Sequence, residues 1–149
     1  MEFSFEYRRL GDFTYHVLSD TAEIRTYLMK WIMHEWELDH DEAPEEHWTV
    51  KWMNVLPQMD FKLEIISLDD IYPNEDLMSV ETFQISLQER AAEREVALLR
   101  GVSSEPLLIH RTASLVNRNG FELMDGYTRY TVLKRYQQKE VYAYVGTMQ

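Results

Sequence analysis

The residues best suited to chemistry stand together in one short stretch, Asp125-Gly126-Tyr127-Thr128-Arg129. An apolar run enters this stretch and a helical pattern leaves it, so the glycine sits where a strand turns sharply into a helix. The first N–H groups of a helix have no partner within it, and the helix dipole favours negative charge there. Thr128 adds a hydroxyl, and Arg129 adds a planar fork of donors that suits phosphate oxygens. The stretch therefore predicts an anion-binding turn.

The same five residues also fit a purely structural turn. Asp125 could cap the helix or bind a cation, and Gly126 could serve only to reverse the chain. Arg129 could be a solvated charge. The local pattern alone leaves both interpretations open.

Two groups of elements must surround this turn. In residues 1–60, alternating patterns at 3–8 and 13–17 predict a hairpin, and helical spacing predicts helices at 21–38 and 44–57. We interpret residues 61–149 as a domain and residues 1–60 as an acidic, Trp-rich extension packed onto it. The elements predicted for the domain follow in chain order: a strand at 61–66, a helix at 79–100 stopped by Gly101, strands at 106–110 and 121–124 joined through Asn119-Gly120, a helix at 128–137 and a strand at 141–145. This order predicts an α+β fold.

Composition narrows the class of function. The chain has 149 residues, 45% of them apolar, which is enough for a buried core. It has no cysteine, which excludes thiolate chemistry and fits a cytoplasmic protein. The net charge is −11, so DNA is not an expected partner, because binding to DNA rests on neutralising phosphates. No apolar run approaches the ~20 residues that span a bilayer, so no membrane association is expected.

Residues 61–146 resemble the ParB/sulfiredoxin-like superfamily in the order and spacing of three blocks. Gly126-Tyr127-Thr128-Arg129 matches its Gly-x-x-Arg turn between a strand and a short helix. Leu68-Asp69-Asp70-Ile71-Tyr72-Pro73 is similar to its first block, and Gly101 followed by Pro106-Leu107-Leu108-Ile109 is similar to its helix–Gly–Pro–strand block. The Asp before the Gly places the chain nearest the free-serine-kinase-like branch.

The resemblance implies nucleotide binding, with phosphates held by Gly126, Tyr127, Thr128 and Arg129. The ligand would be a nucleoside triphosphate or diphosphate, accompanied by Mg²⁺. In the kinase-like branch a Glu follows the first block, and Glu75 stands at the matching position. The resemblance thus implies phosphoryl transfer to a small-molecule acceptor, or nucleotide hydrolysis, with Glu75 as base and Asp125 placing Mg²⁺ or the turn.

The sequence departs from the family pattern in ways that leave enzymatic activity open. The kinase-like branch carries His immediately before the Arg and before the Glu, where this chain has Thr128 and Asn74. Sulfiredoxins carry a Cys in the turn, where this chain has Tyr127, so repair of sulfinic acid is excluded. The alternative is a catalytically inactive protein-interaction module of the same fold, with a protein as its partner.

Overall fold

The structure, a computed structural model, describes residues 3–39, 56–111 and 120–148. The strands are β1 (Glu6–Leu10), β2 (Phe13–Val17), β3 (Met59–Ser67), β4 (Ile71–Tyr72), β5 (Leu107–His110), β6 (Phe121–Asp125) and β7 (Glu140–Met148). The helices are α1 (Thr21–Asp39), α2 (Glu75–Met78), α3 (Glu81–Leu99) and α4 (Tyr127–Arg135). The α+β class predicted from the sequence is confirmed by this arrangement.

Two sheets make up the strand content of the described residues. Strands β1 and β2 form an antiparallel hairpin, as predicted. The other five form a mixed sheet in the order β3-β7-β5-β6-β4. Strand β4 pairs parallel with β6, and β6 pairs antiparallel with β5. The C-terminal ends of β4 and β6 therefore lie at the same edge of the sheet as the N-terminal end of β5. This edge brings together the segments that follow Tyr72, precede Leu107 and follow Asp125.

Apolar side chains pack on both faces of the five-stranded sheet. On one face, Leu107, Ile109 and Leu123 belong to a core that also contains Ala91 of α3 and Leu133 of α4. On the other face, a second core joins Leu108, Met124 and Tyr144 to Ile24 and Leu28 of α1. Burial of this kind supplies most of the driving force for folding, and it holds α4 against the sheet through Leu133.

The first 60 residues contribute to both cores. Phe13, Tyr15 and Val17 of β2 are buried in the same cluster as Leu107, and Tyr15 is edge-on to Tyr142 with ring centroids 5.2 Å apart. Of the helix predicted at 44–57, residues 44–55 lie outside the described residues, and Leu56–Gln58 form a single 3-10 turn.

The helix predicted at 79–100 is confirmed as α3, and the short helix α2, which was not predicted, precedes it. Asn74 caps α2, its side-chain oxygen accepting from the Leu77 N–H at 2.9 Å, so helical structure begins earlier than the apolar spacing indicates. Val80 is extended and separates α2 from α3. The predicted stop is confirmed: Gly101 has a φ of 90° and donates to the Leu98 carbonyl, while Val102 donates to Ala97, which is a Schellman motif.

Candidate functional site

Strand β6 turns into helix α4 through a single residue, Gly126. Its φ of 101° and ψ of 27° lie in the left-handed region, which glycine adopts without the penalty that a Cβ brings. The first helical hydrogen bond runs from the Tyr130 N–H to the Gly126 carbonyl at 2.8 Å. No side chain caps this helix, so Asp125 is not its N-cap. The N–H groups of Tyr127, Thr128 and Arg129 precede the first helical donor and have no acceptor within the helix.

The Arg129 guanidinium folds back over Gly126. A Cβ placed on Gly126 would lie 2.8 Å from Arg129 Nη2 and 2.9 Å from the Leu107 side chain. Both distances are shorter than carbon can approach without displacing its neighbour. The glycine therefore serves two purposes, the left-handed turn and the space for the guanidinium.

Two carboxylates face the fork of Arg129. Nη1 lies 3.5 Å from Glu105 Oε2, and Nη2 lies 3.5 Å from Asp125 Oδ2. The Arg129 side chain is only 13% exposed, and its Nε has no hydrogen-bond partner among the described residues. Arg129 is thus a largely buried cation with spare donor capacity, and not a solvated charge.

Glu105 was not singled out by the sequence, yet it contacts three other side chains at the site. Its Oε1 accepts from the Tyr27 hydroxyl and lies 3.5 Å from His16 Nε2. Burial alone would raise the pKa of Glu105, but the hydrogen bond to His16, the charge of Arg129 and the hydrogen bond from Tyr27 outweigh it. They hold that pKa at about 2, so Glu105 is ionised near neutral pH.

No local pattern could have identified Glu105. Its phenol partner lies 78 residues away and its arginine 24 residues away in sequence. Its own surroundings, Ser104 and Pro106, indicate only the entry to a buried strand.

Tyr127 and Glu75 come from neighbouring segments at the same sheet edge. The Tyr127 hydroxyl accepts from the Asn74 N–H at 3.0 Å and donates its proton to the Leu123 carbonyl at 3.2 Å, and burial raises the pKa of Tyr127. The side chain of Tyr127 therefore ties the start of α2 to the turn. Glu75, the next residue after Asn74, is exposed at the first position of α2. Of the predicted residues, Asp125, Gly126 and Arg129 are in direct contact around the turn.

Negative groups outnumber positive ones at the turn. One guanidinium stands between two carboxylates, so an anion that reaches Arg129 must compete with Glu105 and Asp125. Across residues 3–39, 56–111 and 120–148, no group of three or more His, Asp or Glu side chains is arranged to hold a metal ion. None of the helices in the described part of the chain is both long and apolar enough to cross a membrane.

No protein-family model matches this sequence, and no curated protein matches it. Among solved structures, one crystal form of a pNOB8-like ParB-N domain is similar to it, with a TM-score of 0.43 and 20% identity over 60% of this chain and 30% of that chain. A second structure of the pNOB8-like ParB N-domain has a TM-score of 0.42 and 20% identity over 61% of this chain and 29% of that chain. The chain thus spans less than a third of either solved chain, and the likeness concerns the fold alone.

Proposed function

We propose that this chain binds nucleotides and holds their phosphates at the turn formed by Gly126, Tyr127, Thr128 and Arg129. The observation that carries the proposal is the uncapped start of α4 beside a largely buried guanidinium. Three N–H groups and a forked cation within one turn are suited to the oxygens of a phosphate. The resemblance of residues 61–146 to a nucleotide-binding superfamily points to the same ligand.

The proposed reaction is phosphoryl transfer or nucleotide hydrolysis. Glu75 is exposed and follows the residue that contacts Tyr127, so its carboxylate is available to take a proton from an attacking hydroxyl or water. The Asp125 carboxylate faces Arg129, and the described residues include no group of three or more His, Asp or Glu side chains that could hold a metal ion. Mg²⁺ enters the proposal only as the counter-ion that a nucleotide brings with it.

Calorimetric titration tests the proposal. ATP, ADP, CTP and GTP are titrated into the wild-type protein and into Arg129→Lys, each with and without Mg²⁺. Lysine keeps the charge next to the two carboxylates but lacks the fork, so we expect binding about tenfold weaker or more. The matched control is Arg135→Lys at the other end of α4, where the guanidinium contacts Glu95 at 3.5 Å. Saturable binding that Arg129→Lys leaves unchanged would assign the ligand to another place.

The second candidate function is a protein-interaction module, and the exposed apolar side chains of α3 favour it. Ile85, Val96 and Leu99 are each at least half exposed, and helical spacing places them on one side of α3, away from the buried Leu87 and Leu98. If no nucleotide binds to the folded protein, this candidate replaces the first. A concentration-dependent sedimentation coefficient that Leu99→Lys abolishes would support it.

A further inference from the structure

The donors that a phosphate would use on Arg129 already face carboxylate oxygens. Each end of the guanidinium fork has one such oxygen at 3.5 Å, from Glu105 on one side and Asp125 on the other. These distances are longer than the 2.7–2.9 Å typical of a strong charge-assisted hydrogen bond. The guanidinium of Arg129 therefore contacts two carboxylates, but neither holds it tightly.

Side chains of β2 and α1 hold Glu105 in place. Tyr27 of α1 and His16 of β2 both contact its Oε1, while Arg129 faces its Oε2. The His16 ring is itself oriented by Ser103, whose hydroxyl lies 2.8 Å from Nδ1. One carboxylate thus connects the hairpin and α1 to the start of α4.

We propose that Glu105 is an internal anion that occupies Arg129 in the ligand-free protein and that a bound phosphate takes its place on the guanidinium. The Glu105 carboxylate keeps its contacts with His16 and Tyr27 when it loses Arg129. Ligand binding at the turn is then coupled to β2 and α1 through these two contacts. This inference rests on the proposed phosphate site.

Electrostatics gives the direction of the effect. Glu105 is ionised near neutral pH, and a phosphate on the same fork would lie within a few ångströms of it. Two anions at that separation repel each other strongly in a partly buried site. Removing the charge of Glu105 while keeping its shape should therefore strengthen phosphate binding, by about tenfold or more.

The test uses inorganic pyrophosphate, which has the linked phosphate groups of a nucleotide but no nucleobase. It is titrated by calorimetry into the wild type, Glu105→Gln and the control Glu95→Gln. Glu95 has matching contacts at the far end of α4, with the Tyr136 hydroxyl at 2.6 Å and Arg135 at 3.5 Å. We expect tighter binding in Glu105→Gln and no change in Glu95→Gln.

A measurement on the wild type keeps the inference testable if Glu105→Gln does not fold. Carbon-13 NMR follows the titration of the Glu105 carboxyl with and without saturating pyrophosphate. Binding should raise the pKa of Glu105, because the guanidinium is withdrawn from it.

The outcomes separate this inference from the proposed function. If the wild type binds pyrophosphate but Glu105→Gln binds no more tightly than Glu95→Gln, only the inference is overturned. An unchanged pKa of Glu105 in the pyrophosphate-bound wild type would overturn it in the same way. If neither the wild type nor Glu105→Gln binds, the phosphate site itself is refuted.

Discussion

Replacing Gly126 by alanine perturbs the turn in two independent ways. The new Cβ must accept a φ of 101°, and it must also displace Arg129 Nη2 at 2.8 Å and Leu107 at 2.9 Å. Leu107 is fully buried and cannot yield freely, and the Arg129 guanidinium must leave its two carboxylates to make room. The substitution should therefore destabilise the fold and move the guanidinium away from the turn.

Gly101 separates the two contributions. Its φ of 90° is similar, but a Cβ there would meet nothing within 4 Å. Gly101→Ala should lower the free energy of unfolding by about 1–2 kcal/mol, the penalty of a left-handed backbone for a residue with a Cβ. Gly126→Ala includes the same penalty and adds about 1–3 kcal/mol for overpacking, giving about 2–5 kcal/mol in all.

Urea denaturation of the wild type and both variants, followed by tryptophan fluorescence, measures these differences. The nucleotide titration should also show weaker binding for Gly126→Ala but unchanged binding for Gly101→Ala. Equal destabilisation by the two substitutions would refute the claim that Gly126 makes space for Arg129. In that case only the backbone conformation would require the glycine.

Two further predictions concern stability. The pKa of Glu105 is lowered from 4.5 to about 2 in the folded protein. Its ionised form therefore stabilises the folded state by about 3 kcal/mol above pH 5, and this stabilisation is lost as the pH falls towards 2. Urea unfolding at pH 7 and pH 3 should therefore show a smaller loss of stability in Glu105→Gln than in the wild type, and an equal loss would contradict the assignment. The Tyr144 hydroxyl accepts from the buried Leu18 N–H at 3.0 Å, so Tyr144→Phe should cost about 1–3 kcal/mol by leaving that donor unpaired. If the same unfolding assay shows that Tyr144→Phe loses no more stability than a substitution of an exposed side chain does, the Leu18 N–H finds another acceptor.

Local patterns were sufficient for the elements around the turn. The spacing of Ile24 and Leu28 predicted α1, and the alternation at Phe13, Tyr15 and Val17 predicted β2, because each pattern states which side of an element is buried. Gly126 marked the strand-to-helix turn for the same local reason, since the backbone conformation there favours a residue without a Cβ.

Pairing between distant segments was not readable from the sequence. Periodicity shows which face is buried but not which partner covers it, so neither the parallel pairing of β4 with β6 nor the burial of β2 beside Leu107 could be predicted. The same limit applies to the site. The sequence by itself determined the turn and the arginine, whereas only the tertiary structure placed Glu105, His16 and Tyr27 beside that arginine. The physical reason is that these contacts join residues from different elements, and packing of the two cores alone brings them within reach of one another.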